Sequence, residues 1–275
     1  MRLKFLIVLL LGVFFFDKSL SQEPKYYGWD FKVIKIKDHY YLLNQEVFKL
    51  RENGEFGENY IYKVEENTNF VDLAYKLKVS YYELKEANKS VNPFKVEKGA
   101  VITIPLKKKL PENFNYNTVY VSLKDKRLYY PIRLEDGDYV ITFPVGTGDE
   151  EYPTPTGEFT ITEKKVNPDW IVPPSAKINN PKLPPVVPFG SPENGLGIRA
   201  LRLNGSSYMI HGTSKKSEKG VGMKISYGCI VMRNDDIERL YDLVDLNTKV
   251  IIFEWKVCLW NIALDEKLEI FIKFE

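Results

Sequence analysis

Thr118-Val119-Tyr120-Val121-Ser122-Leu123 and Arg127-Leu128-Tyr129-Tyr130 are two short β-branched and aromatic runs separated by the charged turn Lys124-Asp125-Lys126. Such runs, bounded by polar turn residues, predict paired strands. Similar runs follow at Tyr139–Pro144, Gly157–Thr162, Ala200–Leu203, Tyr208–Ile210 and Lys249–Phe253, punctuated by Gly and Pro. Together they predict a mainly β sandwich or barrel over residues 118–254. One helix breaks the pattern: Ile237, Leu240, Tyr241 and Val244 share a face, with Asn234 placed to cap it and Asp235 and Asp236 at the positive end of its dipole. Most of the 16 prolines fall between Pro153 and Pro192. That stretch is expected to be an extended loop, forming a lid or groove wall if it has a role.

Upstream, residues 60–106 form a compact unit. Ile61-Tyr62-Lys63-Val64 reads as a strand, and Thr68 is placed to cap a helix bearing Phe70, Val71, Leu73, Ala74 and Leu77. Ser80 and Glu83 make a capping-box pattern ahead of Leu84 and Ala87, and Ala100–Pro105 closes the unit with a strand. The expected order is therefore βααβ. Residues 22–59 partly alternate apolar and polar side chains, as in Phe31–Lys37, and suggest short strands and a hairpin of unassigned role; His39 is read there as a surface or packing residue. Residues 107–117, opening with Lys107-Lys108-Lys109, read as a linker whose charges face solvent, and residues 255–275 as an apolar extension without chemical signature.

The 39 basic and 37 acidic residues nearly cancel, and no basic stripe is interleaved with aromatics, so no nucleic-acid partner is expected. Residues 1–21 read as an export signal: Arg2 and Lys4, an apolar run from Phe5 to Phe16, then Ser19-Leu20-Ser21 at the cleavage point. The run is short for a membrane span, and nothing later is long enough. The mature chain is expected outside the cytoplasm, with an uncleaved anchor as the alternative.

Chemistry concentrates in Ile210-His211-Gly212-Thr213 and Ser226-Tyr227-Gly228-Cys229-Ile230, which hold one of the 2 histidines and one of the 2 cysteines. A thiol attacks as the thiolate, so Cys229 needs a base, and His211 can supply it while lowering the thiol pKa. The Gly212 carbonyl can orient the other ring nitrogen, and amides around Gly228 and Cys229 can hold an oxyanion. A Cys229–Cys258 disulfide is the competing reading for an exported chain. Papain-like enzymes place Cys before His, sortases fit the residues flanking Cys229 poorly, and zinc would need further ligands. No metal or other cofactor is expected.

Val145-Gly146-Thr147, Thr154–Phe159, Leu183–Pro188, Leu201-Arg202-Leu203, His211-Gly212-Thr213 and Ser226–Met232 resemble the L,D-transpeptidase (YkuD) catalytic domain. Tyr62-Lys63-Val64, Thr68, Leu73-Ala74, Leu84, Ala87-Asn88, Gly99 and Ile102–Pro105 are similar to a LysM domain, with Glu66-Asn67-Thr68 where Gly-Asp-Thr is usual. The resemblance implies a periplasmic cysteine acyltransferase, inhibited by carbapenems, acting on peptidoglycan stem peptides. Its acyl acceptor would be a second stem, an outer-membrane lipoprotein lysine, a D-amino acid or water, and the LysM-like unit would hold glycan. Cys229 would be the nucleophile, His211 the base, and Ser226, Tyr227 and Gly228 the pocket, with Arg233 and Trp170 touching substrate. Two positions depart from the pattern: Tyr227 stands where a basic or other polar residue is frequent, and Val231 where Arg is common.

Overall fold

A computed structural model describes residues 32–255. The expected signal, Cys258 with its disulfide reading, and the C-terminal extension beyond residue 255 lie outside the described residues.

The strand readings downstream of residue 118 converge on one curled sheet, and the protein is mainly β. Its nine strands run in the order Ile230–Val231, Met209–His211, Arg199–Leu203, Gly157–Val166, Lys249–Phe253, Val119–Ser122, Arg127–Leu134, Gly137–Pro144, Val47–Lys49. Gly157–Val166 makes the corner. Its Gly157–Thr160 half pairs with Lys249–Phe253, the half from Ile161 pairs with Arg199–Leu203, and the register shifts between Ile161 and Glu163. A bulge there bends the strand and lets one sheet enclose a core.

That core holds Val121, Leu128, Ile141, Phe143, Ile161, Leu201, Ile210 and Ile230, sealed by Ile237 and Leu240 of helix α4 (Asn234–Leu243). Each fully buried aliphatic side chain contributes roughly 1.5–3 kcal/mol relative to exposure. The helix is where the sequence expected it, but Asn234 does not cap it. Arg233 occupies the N-cap position, and the Asn234 side chain instead reaches sideways to Thr213.

The N-terminal unit has the expected βααβ order. Asn59–Lys63 pairs antiparallel with Val101–Pro105, and between them lie α1 (Phe70–Leu77) and α2 (Tyr81–Ala87). Phe70, Leu73, Ala74 and Leu77 form the buried face of α1. The cap of α1 is Asn69, whose Oδ1 accepts from the Val71 and Asp72 amides, because Thr68 is held one residue earlier by a backbone bridge to Val96. On α2 the capping box forms as read: Ser80 Oγ accepts from the Glu83 amide at 3.0 Å, and a Glu83 carboxylate oxygen accepts from the Ser80 amide at 2.9 Å.

Residues 32–49 are less separate than their composition suggests. Val33–Ile36 and His39–Leu42 form the expected hairpin, but Val47–Lys49 joins the nine-stranded sheet beside Gly137–Pro144. His39 Nε2 meets Asp242 of α4 at 2.6 Å. The solvated reading of the lysine run also fails at Lys108, which is 2% exposed and sits 2.9 Å from Glu83.

Two buried charge clusters fasten these parts together. In one, Glu83 of α2 meets Arg127 of the sheet at 2.9 Å, alongside Lys108. In the other, Glu46 and Asp236 meet Arg239 of α4, and Glu46 also takes Lys78 at the end of α1. Lys78 and Arg239 hold the buried Glu46 carboxyl down at about 2.

Candidate active site

The far end of the sheet brings the two sequence motifs together. Met209–His211 and Ile230–Val231 run parallel, with Ile210 opposite Ile230 and His211 opposite Val231. Side chains alternate across a strand, so Ile210 and Ile230 enter the core while His211 and Val231 point to the other face. Met209, two residues before His211, falls on that same face, and the Cys229 thiol meets the Met209 backbone. The histidine and the cysteine therefore lie on neighbouring segments, offset by two positions.

His211 is buried, and its Nδ1 lies 2.6 Å from the Gly212 carbonyl oxygen. A carbonyl only accepts, so Nδ1 carries the proton and Nε2 keeps its lone pair. This is the tautomer a general base requires. Burial pushes the imidazole from its ordinary 6.5 down to about 4, against the raising effect of the Gly212 hydrogen bond. Asn234 fixes the turn that provides this carbonyl: its Oδ1 accepts from the Thr213 amide at 3.3 Å, and its Nδ2 donates to the Thr213 carbonyl at 2.8 Å. In sequence Asn234 looks like a helix cap, and nothing there marks it as a brace for the histidine turn.

Among the described residues Cys229 has no disulfide partner. Its turn depends on Gly228, whose φ of +100° is left-handed and whose missing Cβ would lie 2.4 Å from the Tyr208 ring. Ser226 Oγ donates to the Cys229 carbonyl at 2.5 Å and closes the turn. Burial raises the thiol above its ordinary value; the Met209 backbone and the Arg202 guanidinium pull the other way. The sequence expectation of a thiol lowered by His211 is therefore corrected, because a desolvated site favours the neutral members of both pairs. A test follows: the rate of Cys229 alkylation by iodoacetamide should rise with pH through a midpoint above that of free cysteine. A midpoint below neutrality would contradict a neutral resting pair.

Tyr227 packs with Trp170 and Leu183 against Val172, Ala176 and Val187, and edge-on to Tyr152 at 5.3 Å. The proline-rich stretch is thus a folded flap rather than a plain loop. Trp170–Ile171 pairs with Val186–Val187 around the short helix α3 (Pro174–Asn179), which has proline in its first turn. Trp170 belongs to the flap's own core. Arg233 is buried with its guanidinium 4.3 Å from the Tyr75 ring of α1, so it stacks on the N-terminal unit. The cation that acts on Cys229 is Arg202, held by Glu163 at 3.0 Å. Among the described residues no group of three or more His, Cys, Asp or Glu gathers to hold a metal, and no helix is long and apolar enough to cross a membrane.

Residues 116–252 match the family of the YkuD L,D-transpeptidase catalytic domain. Over 206 residues the chain is 36% identical to the protein named Probable L,D-transpeptidase YcfS of Escherichia coli (strain K12), covering 70% of this chain and 62% of that protein. Probable L,D-transpeptidase YbiS of the same strain is 34% identical over 203 residues, with 70% and 63% covered. The chain thus spans about three fifths of the length of these relatives. A solved L,D-transpeptidase from Mycobacterium smegmatis aligns at 20% identity over 58% of this chain and 65% of that one, with a TM-score of 0.38.

Proposed function

We propose that the protein is a peptidoglycan cysteine acyltransferase with Cys229 as nucleophile and His211 as base, a reading supported by the match of residues 116–252 to the YkuD L,D-transpeptidase catalytic domain. The observation that carries this reading is the His211 tautomer: Nδ1–H is committed to the Gly212 carbonyl, leaving Nε2 basic on the strand beside the Cys229 segment. With both groups neutral at rest, proton transfer accompanies attack. Sγ bonds to the carbonyl carbon of the third-position diamino acid of a tetrapeptide stem while its proton passes to Nε2. The amides of Gly228 and Cys229 are the donors for the resulting oxyanion, an interaction worth roughly 3 kcal/mol in comparable sites. Collapse breaks the C–N bond, and His211 returns the proton to the departing D-Ala amine. The thioester then acylates an amine, either of a second stem, giving a 3-3 crosslink, or of a lipoprotein lysine; a D-amino acid or water are the remaining acceptors.

The βααβ unit, read as LysM-like, would hold the glycan, and the expected signal would deliver the chain to the periplasm. The raised Cys229 thiol and Val231 favour one rival, a catalytically weak wall-binding protein on the same fold. Intact-mass analysis separates the two. Wild type incubated with a tetrapeptide muropeptide or a carbapenem should gain a covalent adduct that Cys229→Ala does not. A wild type that binds sacculi yet stays unmodified would reverse the assignment.

A further inference from the structure

Between α2 of the N-terminal unit and the catalytic sheet lies a cleft of about 830 Å³. Tyr82, Lys85 and Lys89 form one wall, the strand turn at Lys124 and Lys126 the floor, and Thr147–Glu150 the opposite wall. The far wall reaches the nucleophile's own turn. Thr147-Gly148 pairs with Lys224 and Ser226, and a Cβ on Gly148 would come 3.0 Å from Gly228 Cα, one residue before Cys229.

Lys126 is the unusual member of this lining. It is only 6% exposed, and its Nζ stands 5.8 Å from the centre of the Tyr82 ring. Lys224 is ion-paired with Glu150. No carboxylate lies within ion-pair distance of Lys126 among the described residues, although Glu254 and Glu150 act on it from further away. Burial, aided by Lys224, lowers its ammonium to about 8. A desolvated cation without a close counter-ion is costly, and an incoming carboxylate relieves that cost. Of the cleft's other lysines, Lys85 and Lys89 come from the N-terminal unit and are exposed.

We propose that this cleft is a subsite for a carboxylate of the peptidoglycan stem peptide, with Lys126 as its counter-ion and α2 as one wall, so that the N-terminal unit completes the substrate site. The proposal rests on the acyltransferase reading above. Both the donor and the acceptor stem carry free carboxylates, and the experiment tells them apart.

Binding is measured by calorimetry on the full chain in two arms: a tetrapeptide stem added to Cys229→Ala, and a tripeptide stem added to protein whose Cys229 already carries a carbapenem. Lys126→Gln should weaken one arm roughly tenfold, as expected for a partly buried charged contact, and that arm identifies the stem. Lys126→Arg should restore most of it, and Lys85→Gln with Lys89→Gln should cost the same arm roughly threefold, as exposed charges do. An unchanged thermal midpoint and a normal carbapenem adduct on Lys126→Gln show that the fold and Cys229 are intact. If wild type forms the adduct but neither arm responds to Lys126→Gln, the subsite is refuted alone. If wild type forms no adduct, the acyltransferase reading fails and the subsite fails with it.

Discussion

Glu83→Gln is expected to destabilise the protein by about 3–5 kcal/mol, the cost of leaving buried charges without their partner. Glu83 sits where three pieces of chain meet. Its carboxylate accepts from Arg127 Nε at 3.1 Å and Nη2 at 2.9 Å, and from Lys108 at 2.9 Å. Arg127 also donates to Thr142 Oγ1 and to the Lys78 carbonyl. Glutamine keeps an oxygen for the Ser80 amide, so the helix cap survives the change while the charge does not. Asp125, 3.9 Å from Lys108, then has to balance two buried cations that Glu83 had met directly. Urea denaturation measures the loss, and a fall of less than about 1 kcal/mol would show that the seam does not depend on this ion pair.

The same cluster has a pH signature. Arg127 and Lys108 hold the Glu83 carboxyl well below its ordinary 4.5 despite its burial. The unfolded chain therefore takes up the proton first as the medium acidifies. The stabilisation is complete above about pH 4.5 and drains away as the pH falls towards the folded-state value. Glu83→Gln removes that part of the acid sensitivity, so the difference between the two proteins should narrow at low pH.

What was legible in the sequence is what depends on neighbours along the chain. Runs of β-branched and aromatic residues located the strands of the sheet from Val119 onward except the two-residue Ile230–Val231, and the Ser80–Glu83 spacing foretold a cap whose two hydrogen bonds span three residues. His211 and Cys229 stood out because their flanking glycines are local too. Lys108 and Asn234 were misread for the opposite reason. Each has a local pattern with a common meaning, a lysine run or an asparagine before a helix, and each takes its actual partner from far away: Glu83 for Lys108, Thr213 for Asn234. Thiol and imidazole protonation were equally out of reach. Residue type names the groups that can exchange a proton, but burial decides which form rests in the site, and burial is a property of the closed fold.

His211→Asn is the second large effect and separates catalysis from folding. Asparagine can keep the hydrogen bond to the Gly212 carbonyl, because its amide donates from about the place of Nδ1–H. It offers no base at the position of Nε2. Acylation of Cys229 by a carbapenem or a muropeptide should therefore slow by roughly 10²–10⁴-fold, the usual contribution of a positioned general base, while the fold persists. The pH dependence of stability runs in step. His211 titrates at about 4 in the folded chain against 6.5 ordinarily, so between those values the unfolded chain holds more protons and stability rises with pH. Above pH 6.5 the full benefit is present; it is lost as pH falls through 4, a change of about 3 kcal/mol at one pKa unit per 1.36 kcal/mol. Asparagine does not titrate, so the variant should lack this slope between pH 6.5 and 4 and gain on wild type as the medium acidifies. Urea midpoints taken across that range, beside stopped-time mass spectra of the adduct, read both consequences on the same two proteins. An unchanged acylation rate would remove His211 from the chemistry, and an unchanged slope would mean that the imidazole is not held neutral by burial.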